Sequence, residues 1–134
     1  MSLYLDASAL VKRYVDEDGS DAVVEAMSGE DTWAMCRIGF VETVRAVARG
    51  GEPEDVERVK RDWTFGCDVV ELDQGLAEHA ARLALASGLR ALDALHLAAA
   101  LNLSDEDLIF ASWDIRLHRA AREQGLRTLP AELG

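Results

Sequence analysis

The sequence predicts an α/β domain: a central parallel sheet covered by helices on both faces. Three observations carry that prediction. Short apolar runs alternate with longer stretches of helical periodicity, the pattern of parallel strands joined by crossover helices. The chain has 134 residues, 49% hydrophobic and 29% charged, which is globular composition with room for one sizeable core. No repeat or low-complexity tract interrupts it, and its breaks are too short to be linkers. Residues 1–134 are therefore expected to form a single domain.

Leu3-Tyr4-Leu5 is a short apolar run ending at Asp6 and reads as the first strand. A helical stretch follows from Ala7 to about Val15, and Gly19 to Met27 is a second helix candidate. After a break at Ser28-Gly29-Glu30-Asp31, Thr32 to Cys36 reads as a strand and Arg37 to Arg49 as a helix. Pro53 suits the first turn of the next helix, where Val56, Val59 and Trp63 repeat at helical spacing. Asp68 to Leu72 is a strand. Asp73 caps a helix whose Leu76, Ala80, Leu83, Ala84 and Ser87 share a face. Leu92 to Leu101 is apolar nearly all round, the mark of a buried helix. Beyond a break at Ser104-Asp105-Glu106, Leu108 to Ala111 is a strand, Asp114 to Gln124 a helix, and Thr128-Leu129 a last short strand.

The charge balance narrows the function. Fourteen Lys and Arg stand against 25 Asp and Glu, a net charge of −11. Such a chain does not attract nucleic acid or anionic membrane by bulk electrostatics, so a phosphate backbone needs local basic groups or bound cations. Cys36 and Cys67 form neither a disulfide framework nor a zinc motif. The longest uncharged run, Ala94 to Ser104, is too short to span a bilayer, and no basic stretch precedes Asp6 to mark a signal peptide. A soluble, cytoplasmic protein with no membrane partner is expected.

In parallel sheets the ligand site lies beyond the carboxyl ends of the strands, so residues that directly follow a strand carry the most information. Asp6 and Asp114 both do. Each has two readings, a helix N-cap and a site carboxylate. Asp93 is the sharpest case, an acid in an apolar helix that must be neutralised, paired or metal-bound. His96, one turn on, is a candidate partner. Glu42 falls opposite the apolar face of Phe40, Val41, Val44, Val47 and Ala48, and periodicity pairs it with Arg45 at the surface. His79 reads as solvated. His118, one turn after Asp114, allows a mixed nitrogen and oxygen metal site with Asp93 and His96, a minor alternative. The three tryptophans read as core or interface.

Carboxylates gathered at one sheet edge repel one another unless a divalent cation joins them, and all-oxygen ligation favours Mg²⁺ or Mn²⁺. Such a site activates water and stabilises the leaving oxygen of a phosphodiester. Two divalent ions would remove four of the eleven excess negative charges. A phospho-receiver domain would want a lysine after a late strand, but Lys12 and Lys60 are the only lysines. An aspartate-nucleophile phosphatase would want a second Asp where Asp6-Ala7-Ser8 has serine.

The segments LYLDASALVKRY, CRIGFVETVRAVAR, LRALDALHLAAAL and LIFASWDIRLHRAAREQGL, in that order and spacing, resemble the PIN-domain ribonucleases, in particular the VapC toxins of bacterial toxin–antitoxin pairs. The resemblance runs from Leu3 to about Pro130. It implies a three-layer α/β fold and an acidic quartet at Asp6, Glu42, Asp93 and Asp114, placing Glu42 in the cleft. It also implies Mg²⁺ or Mn²⁺, an RNA substrate, a homodimer and a cognate antitoxin that occupies the cleft. Ser8 and Ser112 match positions where the family often has a hydroxyl. Cys36 stands where relatives commonly carry Ser or Thr, and no second acid closely follows Asp114. Arg13, Arg37, Arg45, Arg49, Arg90 and Arg116 are candidate phosphate contacts. Leu10, Val11, Tyr14, Val23, Val24 and Met27 are candidates for an apolar interface or for core. Two other functions fit the same residues: a non-catalytic interaction subunit, and a nuclease of this fold acting on DNA.

Overall fold

A computed structural model describes residues 2–29, 32–103 and 105–134; Glu30, Asp31 and Ser104, in two of the expected breaks, lie outside them. Five strands form one parallel sheet: β1 (Leu3–Leu5), β2 (Trp33–Cys36), β3 (Cys67–Val70), β4 (Ile109–Ala111) and β5 (Arg127–Leu129). Their order is β3-β2-β1-β4-β5. The chain winds outward from β1 to β3, then crosses to the other side of β1 for β4 and β5. The carboxyl ends of β1 and β4 therefore flank the switch point, where such sheets open a crevice.

Helices cover both faces. One layer holds α1 (Ala7–Leu10), α2 (Ser20–Ser28), α3 (Ile38–Gly50) and α4 (Pro53–Gly66). The other holds α5 (Gln74–Ser87), α6 (Ala91–Leu101) and α7 (Ile115–Glu123). Alternation along β1 divides the core: Leu3 and Leu5 pack with Leu10, Val23, Met35, Val47 and Val59, whereas Tyr4 packs with Leu97, Phe110 and Leu117. Tyr4 stacks on Phe110 at 5.4 Å between ring centres, and Trp33 meets Trp63 edge-on at 5.9 Å. Two tryptophans are thus core, as expected. Among the described residues no single helix is long and apolar enough to cross a membrane.

Several expectations are corrected by packing. The expected helix from Ala7 to Val15 stops at Leu10 and tightens into a 3₁₀ turn over Val11–Arg13. The strand expected to reach Leu72 ends at Val70, and Leu72 is exposed. On α3 the buried positions are Gly39, Thr43 and Val47, while Val41 and Ala48 face solvent. Leu10, Tyr14, Val23 and Met27 are buried in the core; of the interface candidates only Val24 is exposed, with Val11 partly so. Both cysteines are free, with Cys36 buried.

Candidate active site

Asp6 leaves the carboxyl end of β1 and caps α1. Its Oδ1 accepts from the Ala9 amide at 2.9 Å and from Ser8 Oγ at 2.6 Å. Its Oδ2 accepts from Ser112 Oγ at 2.6 Å, just beyond β4. The cap thus uses one oxygen while the other turns across the switch point. The carboxylate is 3% exposed, and burial pushes it above its ordinary value, opposed by His96, Ser112, Ser8 and the Ala9 amide.

Ser112, fully buried, links two acids. While donating to Asp6, its Oγ accepts from the Asp114 amide at 3.1 Å. Asp114 in turn caps α7, its Oδ1 accepting from the Leu117 amide at 3.0 Å. Ser112→Ala removes one of the hydrogen bonds that favour ionised Asp6 and frees the Asp114 loop. The expected result is divalent-cation binding weakened by about 10–100-fold in calorimetric titration, the usual loss when a supporting hydrogen bond is removed.

Asp93 sits in the first turn of α6, half-buried. Arg90 lies across it and Asp114, with Nε 3.6 Å from Asp93 Oδ2 and Nη2 3.5 Å from Asp114 Oδ2. Burial raises the Asp93 carboxyl above its ordinary range, the Asp114 and Asp6 charges raise it further, and Arg90 and His96 oppose them. Arg90 is 74% exposed, so its attraction is screened by solvent.

Two pairings differ from the sequence expectation. His96 is not the partner of Asp93. Its Nε2 lies 2.7 Å from Glu42 Oε1 and its Nδ1 lies 2.7 Å from the Tyr4 hydroxyl. Tyr4 already accepts from the Cys36 amide at 3.0 Å, so it turns its own proton to Nδ1 and leaves Nε2–H to donate to Glu42. Glu42 accordingly points to α6 rather than pairing with Arg45. Gly39 makes this approach possible: a Cβ there would lie 3.0 Å from His96 Cε1 and run into Met35. Nothing in the local spacing signals the Tyr4–His96–Glu42 chain, because its members lie 92 and 54 residues apart.

His118 is likewise committed elsewhere, bonding the Pro130 carbonyl at 2.7 Å through Nε2. With His96 also engaged, the mixed nitrogen and oxygen metal site falls away. Among the described residues no three side chains of His, Cys, Asp or Glu close into a coordination cage. Three of the candidate acids nevertheless meet at the switch point, Asp6 and Asp114 through Ser112 and Asp93 through Arg90. Glu42 is held on His96, which lies one turn along α6 from Asp93. The available donors are oxygens, which fits Mg²⁺ or Mn²⁺.

A family model described as the PIN domain matches residues 3–123. The chain belongs to the PIN-domain family. Ribonuclease VapC45 of Mycobacterium tuberculosis (strain CDC 1551 / Oshkosh) is 37% identical over 139 residues, spanning 98% of this chain and 96% of that relative. The crystal structure of Mycobacterium tuberculosis VapC20, a sarcin-ricin loop cleaving toxin, superposes with a TM-score of 0.69 at 12% identity, covering 80% of this chain and 87% of that one. A toxin–antitoxin complex from Klebsiella pneumoniae gives 0.67 at 18% identity, covering 85% and 87%. These likenesses in structure show the PIN fold, with its parallel sheet between two helical layers.

Proposed function

We propose that this PIN-domain chain is a Mg²⁺- or Mn²⁺-dependent endoribonuclease, the toxin of a type II toxin–antitoxin pair, with Asp6, Glu42, Asp93 and Asp114 as its catalytic and metal-holding acids. The observation that carries the reading is the buried Asp6–Ser112–Asp114 link at the switch point, with Asp93 tied in by Arg90. Gathering carboxylates there destabilises the fold, which is the usual signature of a site kept for function. Relatives named ribonuclease VapC at 37% identity support the same reading.

A divalent cation held by Asp6, Glu42, Asp93 and Asp114 would supply activation of water and would neutralise charge developing on a phosphodiester. The chain's own residues prepare for it. Three hydrogen bonds hold Asp6 in one orientation. His96 holds one oxygen of Glu42, leaving the other free to ligate or to accept a proton. Arg90 spreads positive charge beside Asp93 and Asp114 where a phosphate approaches.

An antitoxin, a homodimer, a single-domain architecture and a cytoplasmic location belong to the same reading. A groove beside Ser8 and Glu42, of about 440 Å³, is lined by Val11, Val41, Ala46 and Leu92 with Arg45 and Arg49 on its rim. It suits an apolar protein segment better than RNA, and the neighbour solved as a toxin–antitoxin complex agrees with such a partner.

Incubating total cellular RNA with antitoxin-free protein and Mg²⁺ or Mn²⁺, then mapping new 5′ ends, tests the proposal. Discrete ends that vanish on adding EDTA are expected. Absence of new ends with either metal sinks the ribonuclease reading, and preferential cutting of competing DNA moves the substrate.

A further inference from the structure

The arginines sort themselves by partner. Arg13 pairs with Asp62, Arg37 with Glu71, Arg58 with Asp55, and Arg90 with the site acids. Arg122 donates to the Ala131 carbonyl. Among the described residues, Arg45, Arg49, Arg61, Arg82, Arg116, Arg119 and Arg127 form no ion pair, although acids outnumber bases in the chain. The first two rim the largely apolar groove described above. Arg116 and Arg119 instead line a separate pocket of about 280 Å³ with Ser87, Gly88, Leu89 and Glu123.

That pocket adjoins the acidic centre along both walls. One wall is the α5–α6 turn, where Leu89 immediately precedes Arg90. The other is α7, where Arg116 follows Asp114 by two residues. Three residues apart, Arg116 and Arg119 lie on one exposed face of α7, while Leu117, Ala120 and Ala121 face the core. Ser87 adds a hydroxyl, and Gly88, at φ +67°, turns the chain without crowding the space.

We infer that this pocket binds a backbone phosphate of the RNA next to the bond being cut, with the guanidinium groups of Arg116 and Arg119 as its cations. The inference rests on the ribonuclease reading and extends it. At physiological salt, charges are screened within about 8 Å, so only cations beside the centre offset its repulsion of a polyanion. Arginine provides paired donors that match phosphate oxygens. Glu123, the one acid lining the pocket, weakens this attraction and limits the grip.

Fluorescence anisotropy with a labelled mixed-sequence single-stranded RNA tests it, using the full chain carrying Asp93→Asn so that the probe is not cut. Adding Arg116→Ala and Arg119→Ala is expected to weaken binding roughly tenfold and to flatten log K against log salt by about 0.7, one phosphate contact on a single strand. Arg116→Lys with Arg119→Lys keeps the charge and should restore most of that slope. Glu123→Gln should tighten binding roughly twofold. Arg61→Ala with Arg82→Ala removes the same charge from exposed positions on α4 and α5 and should change neither quantity. Equal losses in that control, or unchanged binding without Arg116 and Arg119, overturn the subsite. Loss confined to Arg45→Ala with Arg49→Ala would place the RNA in the other groove and also overturn it. Failure of the parent to bind RNA at all overturns the ribonuclease reading as well.

Discussion

Asp93→Asn is expected to cut metal-dependent RNA cleavage by roughly a hundredfold or more, while raising the melting temperature of the protein measured in EDTA. The two effects share one cause. Asp93 is half-buried beside Asp114 and Asp6, and both burial and those charges raise its carboxyl above the ordinary value. A native carboxyl that holds its proton more tightly than the unfolded chain favours the folded state wherever the proton is on. That contribution is complete below the ordinary Asp value near 3.8 and is lost as pH rises through the higher native value. At neutral pH the charge is therefore a burden on the fold, and the neutral amide removes it. The gain should stay below about 1 kcal/mol, because solvent still reaches the carboxylate, 17% exposed, and Arg90 offsets part of the repulsion. Thermal melts of both proteins in EDTA across pH 4 to 8 check this. The stability difference should widen with pH, and a variant less stable at pH 7 would show that the Arg90 pairing outweighs the repulsion.

His96→Ala is expected to lower the melting temperature by on the order of 10 °C and to impair cleavage even where the variant remains folded. His96 is 1% exposed, and its ring fills space between Tyr4 and Glu42. Its removal opens a cavity and leaves the buried Tyr4 hydroxyl without an acceptor, together costing about 2–4 kcal/mol. The loss also releases Glu42 from the hydrogen bond that aims it at α6. His96→Gln separates packing from aim: its amide nitrogen can still reach Glu42, so activity should recover further than stability. Wild-type cleavage by folded His96→Ala would show that Glu42 does not depend on His96.

The amino-acid pattern was enough to specify the alternating elements, and the reason is local. Period-two and period-3.6 burial, the Asp73 and Asp114 caps and Pro53 at a helix start act within one or two turns. The parallel sheet follows, because strands joined by helices can pair in few other ways. Asp6 and Asp114 were also legible as acids just beyond strand ends, Asp6 next to β1 and Asp114 three residues past β4. Only the tertiary structure decided the rest. Gly39 lets α3 approach α6, so Glu42 turns from an apparent surface pair with Arg45 to His96. His96 leaves the neighbour one turn away for two partners distant in sequence, because a buried ring satisfies both nitrogens wherever the fold brings groups to it. The arginines beside the acidic centre were separated from those on other acids in the same way, since a charge is paired by distance in space and the sequence records only distance along the chain.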